Sequence, residues 1–135
     1  MSDWITDYYA DVDGMRLEPY VAHHSEDAVV VFANNPPAVG RAAIGEAIGG
    51  FWSMIGGLRH EVHNRWDVND GATAILEVTT HYTTHGGAAV PLRCVSILDR
   101  NAEGEVTSLR VHIDLAPLFA AIASESEPQG AAAAP

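Results

Sequence analysis

Apolar positions recur every three or four residues over residues 3–12, where Trp4, Ile5, Tyr8, Tyr9 and Val12 form one stripe and predict a helix. The run DVDG breaks that period, and a second short helix is expected over residues 15–24, with Pro19 limiting where it begins. AVVVF at 28–32 is apolar and β-branched, which predicts a strand. It ends at ANNPPAVG, where two prolines and Gly40 force a loop. Over residues 41–57 the helical period returns, with Ile44, Ile48, Phe51, Trp52 and Ile55 on one side and Gly56 and Gly57 at the end. Glycines 45, 49 and 50 lie inside this helix, each costing about 1 kcal/mol against alanine. Close packing on that side is the expected compensation.

From residue 58 the period falls to two. LRHEVHNRWDV reads as a strand, NDG as a turn and ATAILEVTTHYTTH as a long strand. GG turns the chain into AAVPLRCVSILD, and RNAEG turns it into EVTSLRVHID, the last strand. LAPLFAAIA then starts a helix. Helices followed by a run of antiparallel strands predict an α+β fold, with the N-terminal helices packed on one face of a curved sheet.

The chain has 135 residues, which favours a single domain, expected here over residues 1–123. The tail from 124 to 135, SESEPQGAAAAP, is poor in core-forming residues and is expected to be disordered. A formal charge of −11 with seven scattered basic residues argues against nucleic acid as a partner. No apolar run approaches the roughly 18–20 residues that span a bilayer, so no membrane is expected. The acidic, amphipathic start lacks the features of a secretory signal, and the single cysteine, Cys94, fits a reducing compartment. A cytoplasmic protein is expected.

The phrases SEDAVVVF, NPPAVGRAAI, GLRHEVHNRW and GEVTSLRVHIDLAPLF, in this order of elements, resemble the nuclear transport factor 2-like superfamily. Within it the chain is similar to the SnoaL-like group of polyketide cyclases, ketosteroid isomerases and limonene epoxide hydrolases. The resemblance covers residues 3 to about 120. It implies a cone-shaped α+β barrel, a pocket between helices and sheet, and a homodimer through the outer sheet face. Its isomerase tyrosine falls on Tyr8, which matches. The isomerase base falls at or next to Phe32, and the second acid near Ser96 or Cys94, so the isomerase set is incomplete. The epoxide hydrolase positions read Glu77, Thr79 and Val111, and the cyclase acid also falls on Val111.

An acidic residue on the long middle strand is what survives. Glu77, Thr79, His81 and Thr83 share one face of that strand, and Leu76, Val78, Thr80 and Tyr82 share the other. The resemblance turns the Glu77 face inward, making Glu77 and His81 the candidate acid/base pair, with Asp114 a third candidate. Asp114 also stands where an aspartate caps a following helix. Tyr8, Phe32, Trp52, His60, Thr79 and Val111 are the candidate substrate contacts. If Val111 points inward, so do Leu109 and Ile113, while Arg110 and His112 point out. The seven histidines show no metal-ligand spacing, and neither a metal nor a cofactor is expected. Two functions follow. One is a cofactor-free acid/base enzyme on an apolar or polycyclic small molecule, of cyclase, isomerase, dehydratase or epoxide hydrolase type. The other is a non-catalytic binding protein that has lost the acids.

Overall fold

The structure, a computed structural model, describes residues 3–126. Helix α1 (Trp4–Asp13) begins where Asp3 accepts a hydrogen bond from the Thr6 backbone N–H, and it buries Ile5, Tyr8, Tyr9 and Val12. Helix α2 (Leu17–Ala22) is shorter than the periodicity predicts, because β1 (His24–Phe32) begins four residues before the apolar run AVVVF. Strand β2 (Ala38–Val39) folds back on β1, and α3 (Arg41–Trp52) follows. The remaining strands are β3 (Gly57–Val68), β4 (Thr73–Thr83), β5 (Ala89–Arg100) and β6 (Val106–Ile113), before α4 (Ala116–Ser126).

The six strands form one sheet in the order β2-β1-β6-β5-β4-β3. All neighbours are antiparallel except β1 and β6, which run parallel. The edges β2 and β3 do not pair, so helices rather than strands complete the cone. The fold is α+β, as the element order predicts. Among the described residues no helix is long and apolar enough to cross a membrane.

Two boundaries differ from the periodicity. Helix α3 stops at Trp52 rather than continuing to 57, because the Met54 and Ile55 N–H groups turn back three residues to the Phe51 and Trp52 carbonyls. Ile55 is still buried, from the turn rather than the helix. The expected tail boundary at 124 falls inside α4, which continues to Ser126, and residues 127–135 lie outside the described residues. Two of the three glycines of α3 pack on α2: a Cβ on Gly49 would sit 2.9 Å from Leu17 and one on Gly45 3.4 Å from Val21. One on Gly50 would meet nothing within 4 Å, so close packing does not explain that glycine.

The inner face of the sheet is built from even-numbered residues of β4 and β5. Ala74, Leu76, Val78, Thr80 and Tyr82 are buried, as are Leu92, Cys94, Ser96 and Leu98. This reverses the expected facing of β4. The physical reason is the pairing register: Glu77 lies opposite Val95 and Val95 opposite His112, so Glu77 shares the outer face with His112.

Candidate active site

A cavity of about 50 Å³ lies between the three N-terminal helices and the inner face of the sheet. Its walls are mainly aromatic, and Tyr8, Phe32, Trp52, His60 and Val111 all line it. The T-shaped pair Phe32–Phe51, with centroids 4.9 Å apart, closes one side, and Phe51 meets the Tyr82 ring at 5.8 Å.

His60 of β3 is held from α1. Its Nδ1–H donates to Asp13 Oδ1 at 2.7 Å, and its backbone N–H reaches both Asp13 carboxylate oxygens at 3.2 Å. The imidazole also packs on the Tyr9 ring, with centroids 4.6 Å apart. The carboxylate thereby selects the tautomer with the proton on Nδ1, leaving the Nε2 lone pair for a molecule in the cavity. The His60 side chain is 11 % exposed and that of Asp13 30 %, so the imidazole is largely out of water while the carboxylate keeps contact with it.

A second polar chain lies deeper. His24 Nδ1–H donates to the Val21 carbonyl at 3.2 Å, so Nε2 accepts from the Tyr8 hydroxyl at 2.9 Å. The Tyr20 hydroxyl is 2.9 Å from that of Tyr8 and extends the chain. Burial lowers the His24 pKa to about 4, so the ring is neutral at neutral pH. Burial also pushes the Tyr8 pKa well up, with the neighbouring Tyr20 adding to it. Every donor of this chain is committed, which leaves Tyr8 a structural member of the wall rather than a free donor.

Tyr82 differs. It is 3 % exposed and lines the cavity, yet its hydroxyl has no hydrogen-bond partner among the described residues. Burial raises its pKa, so it remains a protonated donor. His60 faces Thr80 across the β3–β4 ladder, and Tyr82 is the next inward residue. Such diagonal neighbours are about 7–8 Å apart, close enough for one small molecule to meet both.

The expected acid/base residues are elsewhere. Glu77 is exposed on the outer face, accepting from Asn64 Nδ2 at 2.9 Å. His81 is 2.8 Å from Glu61 on the same outer face, and the Thr79 hydroxyl is 2.7 Å from His63 Nε2. These three residues therefore do not meet the cavity; the sheet lies between. Asp114 is exposed and accepts from the Ala116 backbone N–H at 3.0 Å, which is a capping contact at the start of α4. Among the described residues, no three His, Cys, Asp or Glu side chains gather as a metal site would need.

Periodicity did not single out Asp13, Tyr20, His24 or Tyr82. Asp13 stood in a stretch read only as a helix break, and His24 in a stretch read as helix. For Tyr82 a signal existed, since it shares the apolar face of β4.

A helix-backed, open α+β cone with β1 parallel to β6 and an aromatic-walled hollow inside is the architecture of the nuclear transport factor 2-like superfamily. Residues 5–109 match the model of the SnoaL-like domain, and the chain belongs to that family. A protein of ketosteroid isomerase-like fold from Catenulispora acidiphila, bound to trimethylamine, is 17% identical with a TM-score of 0.77, over 95% of this chain and 99% of that one. A putative polyketide cyclase from Xanthomonas campestris pv. campestris is 17% identical with a TM-score of 0.73, over 88% and 93%. The epoxide hydrolase/cyclase-like enzyme SalBIII, with a role in pyran ring formation in the polyether salinomycin, is 18% identical with a TM-score of 0.72, over 83% and 88%. At these identities the likeness is one of fold. No curated protein sequence matches the chain.

Proposed function

We propose that the protein is a cofactor-free acid/base enzyme acting on an apolar carbonyl compound, with His60 as the base. The observation that carries this is the Asp13–His60 pair against an aromatic cavity. Nε2 of His60 takes a proton from the carbon beside the carbonyl. The Tyr82 hydroxyl donates to the oxygen as it gains negative charge, inside an aromatic-walled cavity. Returning the proton to a different carbon gives an isomerase; attack of the enolate carbon on a second carbonyl, with the proton on His60 passing to the alkoxide that forms, gives a cyclase. A putative polyketide cyclase among the structural neighbours is in keeping with the cyclase branch of this reading.

The alternative is a binding protein of the same fold. It is favoured by Phe32 and Val111, apolar residues on the cavity wall where the resemblance implies acids. A second copy of the chain is the partner we propose for the outer face, where Trp66 is 48 % exposed.

Proton abstraction is read without knowing the natural substrate. The probe is 2-butanone in D2O, with loss of its α-proton signals followed by NMR. Exchange well above the buffer rate is expected. Binding of 2-butanone with exchange at the buffer rate supports the binding protein instead.

A further inference from the structure

The inner cavity is too small to be the whole site. Small-molecule pockets run to roughly 300–1,000 Å³, and this cavity offers about 50 Å³. That is space for a group the size of an acetyl unit. On the far side of Phe32 and Phe51 lies a cleft of about 360 Å³, lined by Pro36, Ala47, Met54 and Phe119 among others. The two spaces share three wall residues: Phe32, Ile48 and Phe51. Phe32 and Phe51 are both only half-buried, and two large side chains of the cleft are left in solvent, Met54 at 41 % and Phe119 at 42 % exposed. A cleft whose wall is also the wall of the cavity that holds His60 and Tyr82 is placed to hold the rest of a molecule whose polar end is inside.

We propose that the Phe32–Phe51 pair separates two compartments of one site, and that the substrate is an elongated carbonyl compound with a narrow polar end and an extended apolar body. The carbonyl end enters the inner cavity toward His60 and Tyr82. The body lies in the outer cleft against Ala47 and Phe119, with the two phenyl rings turned aside to let the chain pass. The cleft offers this body no charged side chain, so a hydrocarbon chain is favoured over an ionic one. This rests on the acid/base reading of the inner cavity, which fixes the end of the molecule that goes in.

A homologous series of 2-alkanones, from 2-butanone through 2-pentanone and 2-hexanone to 2-octanone, tests it by titration calorimetry on the full chain. Affinity is expected to rise about two- to fourfold with each added methylene, the value for burying a CH2 group. Two variants at exposed positions of the cleft report whether the body lies there. Ala47→Phe fills the cleft and should flatten the series; Phe119→Ser removes one wall and should reduce its slope. A wild-type slope retained in both variants overturns the proposal, as does a flat series or no detectable binding of 2-octanone. Failure of the enzyme reading is distinct: a cleft-dependent series without α-proton exchange removes the chemistry and keeps the two-compartment site. Exchange of 2-butanone with a flat series does the reverse.

Discussion

The Nδ1–H of His60 donates to Asp13 Oδ1 at 2.7 Å, joining the last residue of α1 to the inner face of β3 across 47 positions of sequence. Because the same carboxylate also accepts the His60 backbone N–H, ring and strand are held together. Asp13→Asn keeps the shape but offers an amide that can donate as well as accept, so the tautomer is no longer fixed. The expected result is about a tenfold or greater fall in the α-proton exchange rate of 2-butanone, with binding little changed. Exchange rate and affinity measured on the same sample separate the two.

Tyr82→Phe removes the hydroxyl of a buried residue, one that makes no hydrogen bond to another described residue. Stability should therefore move by less than about 1 kcal/mol, since no bond is lost and no partner is stranded. Exchange should fall on the order of a hundredfold if the hydroxyl meets the developing enolate. Urea unfolding and NMR exchange read these two numbers. A variant that loses stability but keeps its rate would make Tyr82 structural.

Acid should destabilise the fold through His24. Its pKa is lowered by burial to about 4, against about 6.5 when unfolded. Below pH 6.5 the unfolded chain binds a proton the folded chain refuses, so this contribution to stability is lost as pH falls. The loss runs from about pH 6.5 down to about pH 4 and then levels off. Its full size is about 3 kcal/mol at 1.36 kcal/mol per pKa unit. Denaturant unfolding at a series of pH values measures it, and His24→Gln should flatten the dependence in that window.

The outer face carries the oligomerisation prediction. Trp66 and Val68 at the end of β3 are 48 % and 39 % exposed, and both point away from the cavity, opposite Ile75 and Thr73. If two copies pair through this face, the wild type is dimeric by light scattering and Trp66→Glu is monomeric. A wild type that stays monomeric at high concentration, or a variant that stays dimeric, contradicts the pairing.

The order and type of the elements were legible from periodicity because each has a clear period and the turns carry Gly, Asn or Pro. The site was legible only in part. Tyr8, Phe32, Trp52, His60 and Val111 line the cavity, whereas Glu77, Thr79 and His81 do not. Two expectations could not both hold in one pleated sheet. An inward Val111 pairs with Ser96, and Ser96 with Leu76, so the even face of β4 must be the inner one. Alternation pointed the same way, since Leu76, Val78 and Tyr82 are the apolar set of that strand. The acid position implied by the resemblance and the polarity of the strand point to opposite faces of β4, and the fold follows the polarity. Asp13 was not legible because its partner is set by the crossing of α1 over β3, a long-range contact that no local period encodes. His24 was masked by its neighbours: a strand that begins His24-Ser25-Glu26-Asp27 gives no apolar alternation until Ala28.

The most direct test compares two single variants in the 2-butanone exchange experiment. His60→Ala should lose at least about a hundredfold of the protein-catalysed rate, while Glu77→Gln, on the outer face, should match the wild type. Full activity in His60→Ala together with a collapse in Glu77→Gln would contradict an inner histidine as the base.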